Sequence, residues 1–139
     1  MGTRSITHIH EMRDDQWIGD EEKVVCSFFR HWDGYPSGHG QDLANWLKDK
    51  GLKNGIGSDF VKGKHFNRSG SMAIHLCAHI DGVSGCEMIP TGSKTGDYID
   101  YTYPIYFRND QFFIEIEGRD PIKASDFDGV QIERLECEE

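Results

Sequence analysis

Residues 30–40 carry most of the side chains in this chain that could do chemistry. The segment reads Arg30-His31-Trp32-Asp33-Gly34-Tyr35-Pro36-Ser37-Gly38-His39-Gly40. A turn needs only a few residues such as Gly, Pro, Asn or Asp, so the Arg, His and aromatic side chains serve another purpose. Because rigid elements position loop residues for binding, we predict that this loop holds a ligand.

The chemistry of the loop favours a nucleotide-like anion. Gly38 and Gly40 stand directly before a predicted helix, and the N-terminus of a helix attracts phosphate or carboxylate. Arg30 could clamp an anion through two N–H donors, and Trp32 or Tyr35 could stack on a base. Neither the P-loop nor the G-x-G-x-x-G phosphate fingerprint is present, so a purely structural loop remains the alternative.

Two other chemistries are open to the same loop. Asp33 with His31 or His39 could form an acid–base pair for phosphodiester hydrolysis, an inference from residue types alone. Ser37 lies close to His39 in sequence, but the G-x-S-x-G elbow of a serine hydrolase is absent.

Two pairs of histidines have a spacing that metal ligands use. His8 and His10 alternate on a predicted strand, and His75 and His79 are one helical turn apart. Neither pair has a third ligand at a recognisable spacing, and H-E-x-x-H is absent. No two of the four cysteines form C-x-x-C, so we expect reduced thiols, no metal and no cofactor.

Length and charge limit the class of protein. The 139 residues suit a single domain over 1–139, with an acidic C-terminal tail from about residue 136. The formal net charge of −9 disfavours binding to nucleic-acid polymers. No apolar stretch approaches the roughly 20 residues of a membrane span, and no signal peptide is recognisable, so we expect a cytoplasmic protein.

Hydrophobic periodicity predicts an α+β domain of two layers. We predict a mostly antiparallel sheet with two helices, over 41–50 and from 69 or 71 to about 80, inserted after the second strand. Pro104 predicts an edge or a bulge in its strand. The predicted strands are Ser5–His10, 23–30, Cys86–Ile89, 97–107, 111–117 and 130–135, with a hairpin connection over 12–22.

The loop is also the basis of a resemblance that covers the whole chain. The start Met1-Gly2-Thr3-Arg4-Ser5, the loop from Phe29 to Gly40 and Phe66-Asn67-Arg68-Ser69-Gly70 resemble a family of small uncharacterised phage and prophage proteins. Its members open with Gly-Thr-Arg and carry a Tyr-Arg-Gln-Tyr-Asp-Gly-Tyr-Pro-like loop ending in Gly-His-Gly. Phe29, His31 and Trp32 replace the Tyr, Gln and Tyr of the family.

The resemblance implies a phage accessory protein in the host cytoplasm, of the anti-defence kind that sequesters a nucleotide signal. The expected ligand is a cyclic nucleotide or an ADP-ribose derivative, and a homo-oligomer is compatible with the sequence. The predicted ligand-binding residues are Thr3, Arg4, Arg30, Trp32, Tyr35, Gly38, His39 and Gly40. The alternatives are a nucleotide-acting hydrolase using Asp33 and His39, and an inhibitor that binds a host protein through an acidic surface.

Overall fold

The computed structural model describes residues 2–11, 24–53, 57–58, 60–81, 85–91, 99–108 and 110–138. In chain order these residues form β1 (Ser5–His10), β2 (Val24–Arg30), α1 (Gln41–Leu47), β3 (Gly51–Leu52), β4 (His65–Phe66), α2 (Ser69–Asp81), β5 (Cys86–Ile89), β6 (Tyr101–Arg108), β7 (Gln111–Ile114), β8 (Ile122–Lys123) and α3 (Gly129–Glu138). One turn of π-helix, Pro36–Gly40, precedes α1, and a 3-10 turn, Ala124–Asp126, follows β8. The predicted connection over 12–22 lies outside the described residues.

Six strands form one sheet in the order β5-β2-β1-β6-β7-β8. Strand β1 pairs antiparallel with β2 and parallel with β6, and the remaining neighbours pair antiparallel. The predicted α+β class with a mostly antiparallel sheet is therefore confirmed. Two short parallel strands, β3 and β4, form a separate ribbon.

One face of the sheet carries the main hydrophobic core. Side chains alternate between faces along a strand, and Ile9, Phe28 and Ile105 share the face that packs against the helices. Helix α1 adds Leu43 and Leu47 at a spacing of four residues, and α2 adds its own apolar stripe. Fully burying a side chain of this size contributes about 1.5–3 kcal/mol, so the core holds β2, and with it the start of the loop, in place.

The strand predicted over 130–135 is wrong, because these residues lie in helix α3. Asp128 accepts a hydrogen bond from the Gln131 backbone N–H at 3.1 Å, the geometry of an N-cap. Ile132 is buried while Val130 and Leu135 are exposed, so the apparent alternation did not mark a sheet face. The predicted loose tail is also corrected, because Glu136 belongs to α3.

Glu136 ties the end of the chain to the sheet. Its carboxylate accepts hydrogen bonds from the Tyr101 hydroxyl at 3.1 Å and from Arg119 at 3.1 Å. Burial, together with this carboxylate, raises the pKa of Tyr101 to about 12. The end of α3 therefore packs beside the first residue of β6.

An edge or a bulge was predicted at Pro104, and of these the edge is wrong, because Pro104 lies in an interior strand. Strand β6 pairs with both β1 and β7. The Pro104 carbonyl accepts from the Glu115 N–H at 2.9 Å, just beyond the end of β7 at Ile114. The Pro104 nitrogen points toward the same neighbour as its carbonyl, at a position beyond the last paired residue of β7. Its lack of an N–H therefore removes no hydrogen bond between the paired residues of β6 and β7. Within the part of the chain that the structure describes, no helix is long and apolar enough to cross a membrane.

Candidate functional site

The loop of residues 30–40 folds back against the start of β1. The Gly34 N–H donates to the Thr3 carbonyl at 2.9 Å, and the Tyr103 hydroxyl donates to the Gly34 carbonyl at 2.6 Å. Asp33 has φ 59°, in the left-handed region that Asp tolerates better than most residues. A Cβ on Gly34 would lie 2.8 Å from the Ser5 side chain, so the loop backbone rests directly on β1.

The Arg30 side chain, which was predicted to bind the ligand, contacts residues of the loop itself. Its Nε donates to the Trp32 carbonyl at 2.6 Å, and its Nη1 donates to His39 Nδ1 at 3.2 Å. Its Nη2 lies 3.8 Å from the Asp33 carboxylate, and only 11% of the side chain is exposed. The guanidinium therefore organises the loop and offers little surface to a ligand.

His39 is buried in the same network. An arginine can only donate, so His39 Nδ1 is the acceptor and Nε2 carries the proton of the neutral ring. That Nε2 donates to Thr7 Oγ1 at 2.9 Å. Burial lowers the pKa of His39 to about 3, and the charge of Arg30 acts in the same direction. The imidazole is neutral at physiological pH with both nitrogens engaged inside the protein.

The backbone N–H groups before α1 are also engaged. Gly38 donates to the Tyr35 carbonyl at 2.9 Å, His39 to the Asp33 carbonyl at 2.9 Å and Gly40 to the Tyr35 carbonyl at 3.5 Å. The N–H groups of Gly38, His39 and Gly40, three of the predicted ligand-binding residues, therefore all donate to carbonyls of the loop itself. These glycines are needed for packing, since a Cβ on Gly38 would lie 2.5 Å from the Asp33 carbonyl.

The alternation of side chains along the sheet assigns Arg4 and Arg30, both predicted to bind the ligand, to opposite faces. Ser5 pairs in register with Arg30, on the face that packs against the helices. Continuing the alternation of β1 back by one residue assigns Arg4 to the other face. The Arg4 N–H donates to the Asp100 carboxylate at 2.9 Å, which adds negative charge beside it. The structure brings Thr3 to the loop through its carbonyl, which accepts from the Gly34 N–H.

Trp32 and Tyr35 keep part of their rings toward the surface. Trp32 is 43% exposed, and its indole packs on Gly85, where a Cβ would lie 2.7 Å from the ring. Tyr35 is half-buried and donates to the Asp33 carboxylate at 3.3 Å. Their predicted role in stacking on a base stays a prediction.

The hydrolase alternative finds little support in this geometry. The Asp33 carboxylate lies near Arg30 and accepts from Tyr35, whereas His39 uses both nitrogens on Thr7 and Arg30. A general base must reach the proton that it removes, and a buried imidazole with a pKa near 3 does not do so at neutral pH.

The histidine pairs engage separate partners. His8 Nδ1 lies 2.7 Å from Ser27 Oγ, and the His10 ring stacks on Tyr106 with 4.7 Å between centroids. On α2, His75 Nδ1 donates to the Ser71 carbonyl at 2.9 Å, and His79 Nε2 lies 3.3 Å from the Asp42 carboxylate. Burial lowers the pKa of His8. Across the described ranges, no three His, Cys, Asp or Glu side chains are grouped to hold a metal ion.

A cavity that the sequence analysis did not anticipate lies at the other end of β6. It has a volume of about 220 Å³. We call it the lysine cavity, and its lining residues are Lys50, Gly51, Leu52, Lys53, Lys64, His65, Phe107 and Asp110. Strand β6 runs from Tyr101 near the loop to Arg108 near this cavity, a length of about 25 Å at the usual rise per residue. The two candidate sites are therefore far apart.

The ribbon of β3 and β4 brings the cationic residues together. Gly51 donates to the Lys64 carbonyl at 3.0 Å, and Lys53 donates to the Phe66 carbonyl at 2.9 Å. These backbone bonds place residues 50–53 beside 64–65 despite the intervening chain. The Lys50 ammonium has two neighbours, since its Nζ lies 4.8 Å from the centre of the Trp46 ring and 3.2 Å from the Asp49 carboxylate.

A charge asymmetry in the sequence could have identified this region. Residues 48–68 contain six Lys or Arg and two Asp, a net charge of +4, so the rest of the chain carries −13. The net charge of −9 averages over this difference and hides a local cationic segment. Which of these residues share a cavity depends on the pairing of β3 with β4, which the sequence does not reveal.

Comparison with known proteins gives no further guide to the chemistry. The chain matches no protein-family model, no curated protein and no solved structure. The resemblance to phage and prophage proteins therefore stays a prediction. Any functional conclusion has to rest on the two sites described above.

Proposed function

We propose that this protein binds a small phosphate-bearing, nucleotide-like ligand in the lysine cavity and does not turn it over. The observation that carries the proposal is the convergence of Lys50, Lys53 and Lys64 on one cavity in a chain of net charge −9. Lysine ammonium groups act as compact point charges for phosphate. Lys50 is paired with Asp49, and Asp110 also lines the cavity, so the three lysines leave a net charge of +1 there. On an acidic protein this local excess of positive charge favours an anion.

His65 adds a hydrogen-bond donor beside the lysines of the cavity. The Val61 N–H donates to His65 Nδ1 at 2.8 Å, so the neutral imidazole carries its proton on Nε2. A neutral ring can then donate to a phosphate oxygen without first taking up a proton.

The volume of the cavity and the carboxylate of Asp110 restrict the size and charge of the ligand that fits. A volume of about 220 Å³ lies below the roughly 300–1,000 Å³ of pockets that enclose a drug-sized molecule. The cavity therefore suits the charged end of a nucleotide, with the rest of the ligand outside. Asp110 is exposed at the rim and disfavours any anion that extends over it.

The protein is proposed to bind its ligand without catalysing a reaction on it. The acid–base pair suggested for the loop is not assembled, because His39 is buried and internally bonded. A protein that holds a nucleotide without converting it could sequester a signal, which is the role implied by the resemblance to phage accessory proteins. In this account the loop of residues 30–40 is a scaffold that anchors α1.

Isothermal titration calorimetry at low ionic strength tests the proposal, with pyrophosphate, ADP, ADP-ribose and a cyclic dinucleotide as probes. We expect Lys53→Gln and Lys64→Gln each to weaken the Kd by about tenfold. Lys62→Gln is the matched control, since this exposed lysine carries the same charge and does not line the cavity. Chromatography of the probe after incubation should recover it unchanged.

Two results would contradict the proposal. Equal weakening by Lys62→Gln would mean that the probes respond to net charge and not to a cavity. Loss of binding in Trp32→Ala, with both cavity variants unaffected, would return the site to the loop.

A further inference from the structure

Among the residues that the structure describes, β5 is the outermost strand of the sheet and has a neighbouring strand on one side only. It pairs with β2 through Phe28↔Met88 and Phe29↔Glu87 and stands first in the strand order. Proteins normally protect such an edge with charge, proline or a covering element, because it can pair with another chain. Strand β5 is therefore a place to look for a partner.

The hydrogen-bonding direction of each β5 residue follows from one bond. The His31 N–H donates to the Gly85 carbonyl at 2.9 Å, so the polar groups of Gly85 face β2. In an antiparallel pair this direction alternates, and Glu87 also faces β2 whereas Cys86 and Met88 face away. Within the described ranges the outward N–H and C=O groups of Cys86 and Met88 meet no partner.

A second cavity opens beside this edge, on the face that packs against the helices. Its volume is about 220 Å³, and it lies between β5 and α2. The side chains that line it are Phe28, Cys77, Ile80, Cys86, Glu87 and Met88. Met88 is 62% exposed, so a large apolar side chain is available at the mouth. The cavity can take an apolar side chain from a segment that lies along β5.

One acidic group lies on this edge. Glu87 is 59% exposed and lies 3.4 Å from His31 Nε2, and its β5 neighbours point to the opposite face. Trp32, 43% exposed, packs on Gly85 at the start of this strand. A cationic side chain on the Glu87 face would meet this carboxylate, and an exposed indole ring nearby is a favourable surface for ammonium and guanidinium groups.

We propose that β5 binds an extended segment of a basic partner protein by strand addition. The segment alternates apolar and Lys or Arg residues: its apolar side chains enter the cavity beside Met88, and its cationic side chains face Glu87. Main-chain bonds to Cys86 and Met88 supply affinity, and the alternate side chains supply specificity. Symmetric antiparallel pairing of two β5 strands about Glu87 would place this carboxylate opposite its own copy, which disfavours a second copy of the chain in that register.

Fluorescence anisotropy with two labelled peptides tests this inference, which does not rest on the lysine cavity. The probes are an alternating Lys-Val peptide and an alternating Glu-Val peptide of equal length. We expect only the Lys-Val peptide to bind the wild-type protein. Met88→Pro should weaken its Kd by about tenfold, because the proline removes an outward donor while the pairing of β5 with β2 persists.

Charge and folding controls complete the experiment. Glu87→Lys should also abolish binding, whereas Glu117→Lys, the same change at an exposed residue beyond β7, should not. Circular dichroism confirms that each variant is folded. Equal affinity for both peptides, or unchanged affinity in Met88→Pro, would overturn the proposal. Sedimentation that shows a wild-type dimer and a Met88→Pro monomer would also overturn it, by assigning the edge to a second copy.

Discussion

The Arg30 guanidinium donates to His39 Nδ1 at 3.2 Å, and this contact fixes both the tautomer and the charge of the histidine. Since Nδ1 can only accept here, Nε2 is left to donate to Thr7 at 2.9 Å. The three residues join β2, the loop and β1 through side chains alone. A segment whose composition predicts ligand binding is thereby used to hold two strands and a helix in register.

Acid should destabilise the protein through His39. Its pKa is lowered to about 3 in the folded state, whereas an exposed histidine titrates near 6.5. Between these values the unfolded state binds the extra proton, so the free energy of unfolding falls as the pH falls, by up to about 1.4 kcal/mol per pH unit. Urea unfolding at pH 7, 6 and 5 measures this slope. His39→Gln should show a shallower one, and identical slopes would contradict the assignment.

Replacing Arg30 should cost stability. Arg30→Met keeps the length of the side chain but leaves the Trp32 carbonyl and His39 Nδ1 without their donor. Charge-assisted hydrogen bonds of this kind are worth roughly 1.5–3 kcal/mol, and we expect a loss of that size in the free energy of unfolding. Arg134→Met, at an exposed position of α3, is the control and should stay within about 0.5 kcal/mol of wild type. An unaffected Arg30→Met would show that the network contributes nothing to folding.

Two glycines provide a matched test of the loop packing. In Gly38→Ala the new methyl group would lie 2.5 Å from the Asp33 carbonyl, so the loop must shift, at a cost of about 1–3 kcal/mol. In Gly70→Ala, near the start of α2, nothing lies within 4 Å of the added Cβ. Alanine favours helix by up to about 1 kcal/mol over glycine, so that variant should be slightly more stable. Thermal unfolding of both proteins gives the comparison, and a neutral Gly38→Ala would contradict the packing.

The sequence predicted where most strands lie better than it predicted which strands pair with each other. Alternation over Ser5–His10 predicted β1, but its parallel pairing with β6 joins residues nearly a hundred positions apart, which no local pattern reports. Helix α3 was missed because Val130 and Ile132 alternate like a strand. Asp128 followed three residues later by Gln131 was the available signal, since that spacing is typical of a helix N-terminus.

The site was harder to predict than the fold for a physical reason. Residue types in the loop indicated chemistry, but composition does not show whether a donor faces solvent or another part of the chain. Arg30 and His39 were recognised as unusual, and their partners are internal. The lysine cavity depends on β3 and β4 lying side by side, so only the local excess of Lys and Arg could have suggested it.

Mapping a phosphate-bearing probe onto the backbone amides tests the central claim most directly. A titration of the ¹⁵N-labelled protein with ADP, followed by two-dimensional NMR, reports which residues sense the ligand. We expect shifts concentrated at Gly51–Leu52, Lys53 and Lys64–His65. In Lys64→Gln the same shifts should need about ten times more ADP, whereas in Lys62→Gln the titration should be unchanged. Shifts concentrated at Trp32 and the amides of 34–40, with the lysine cavity unaffected, would contradict the claim and assign the ligand to the loop.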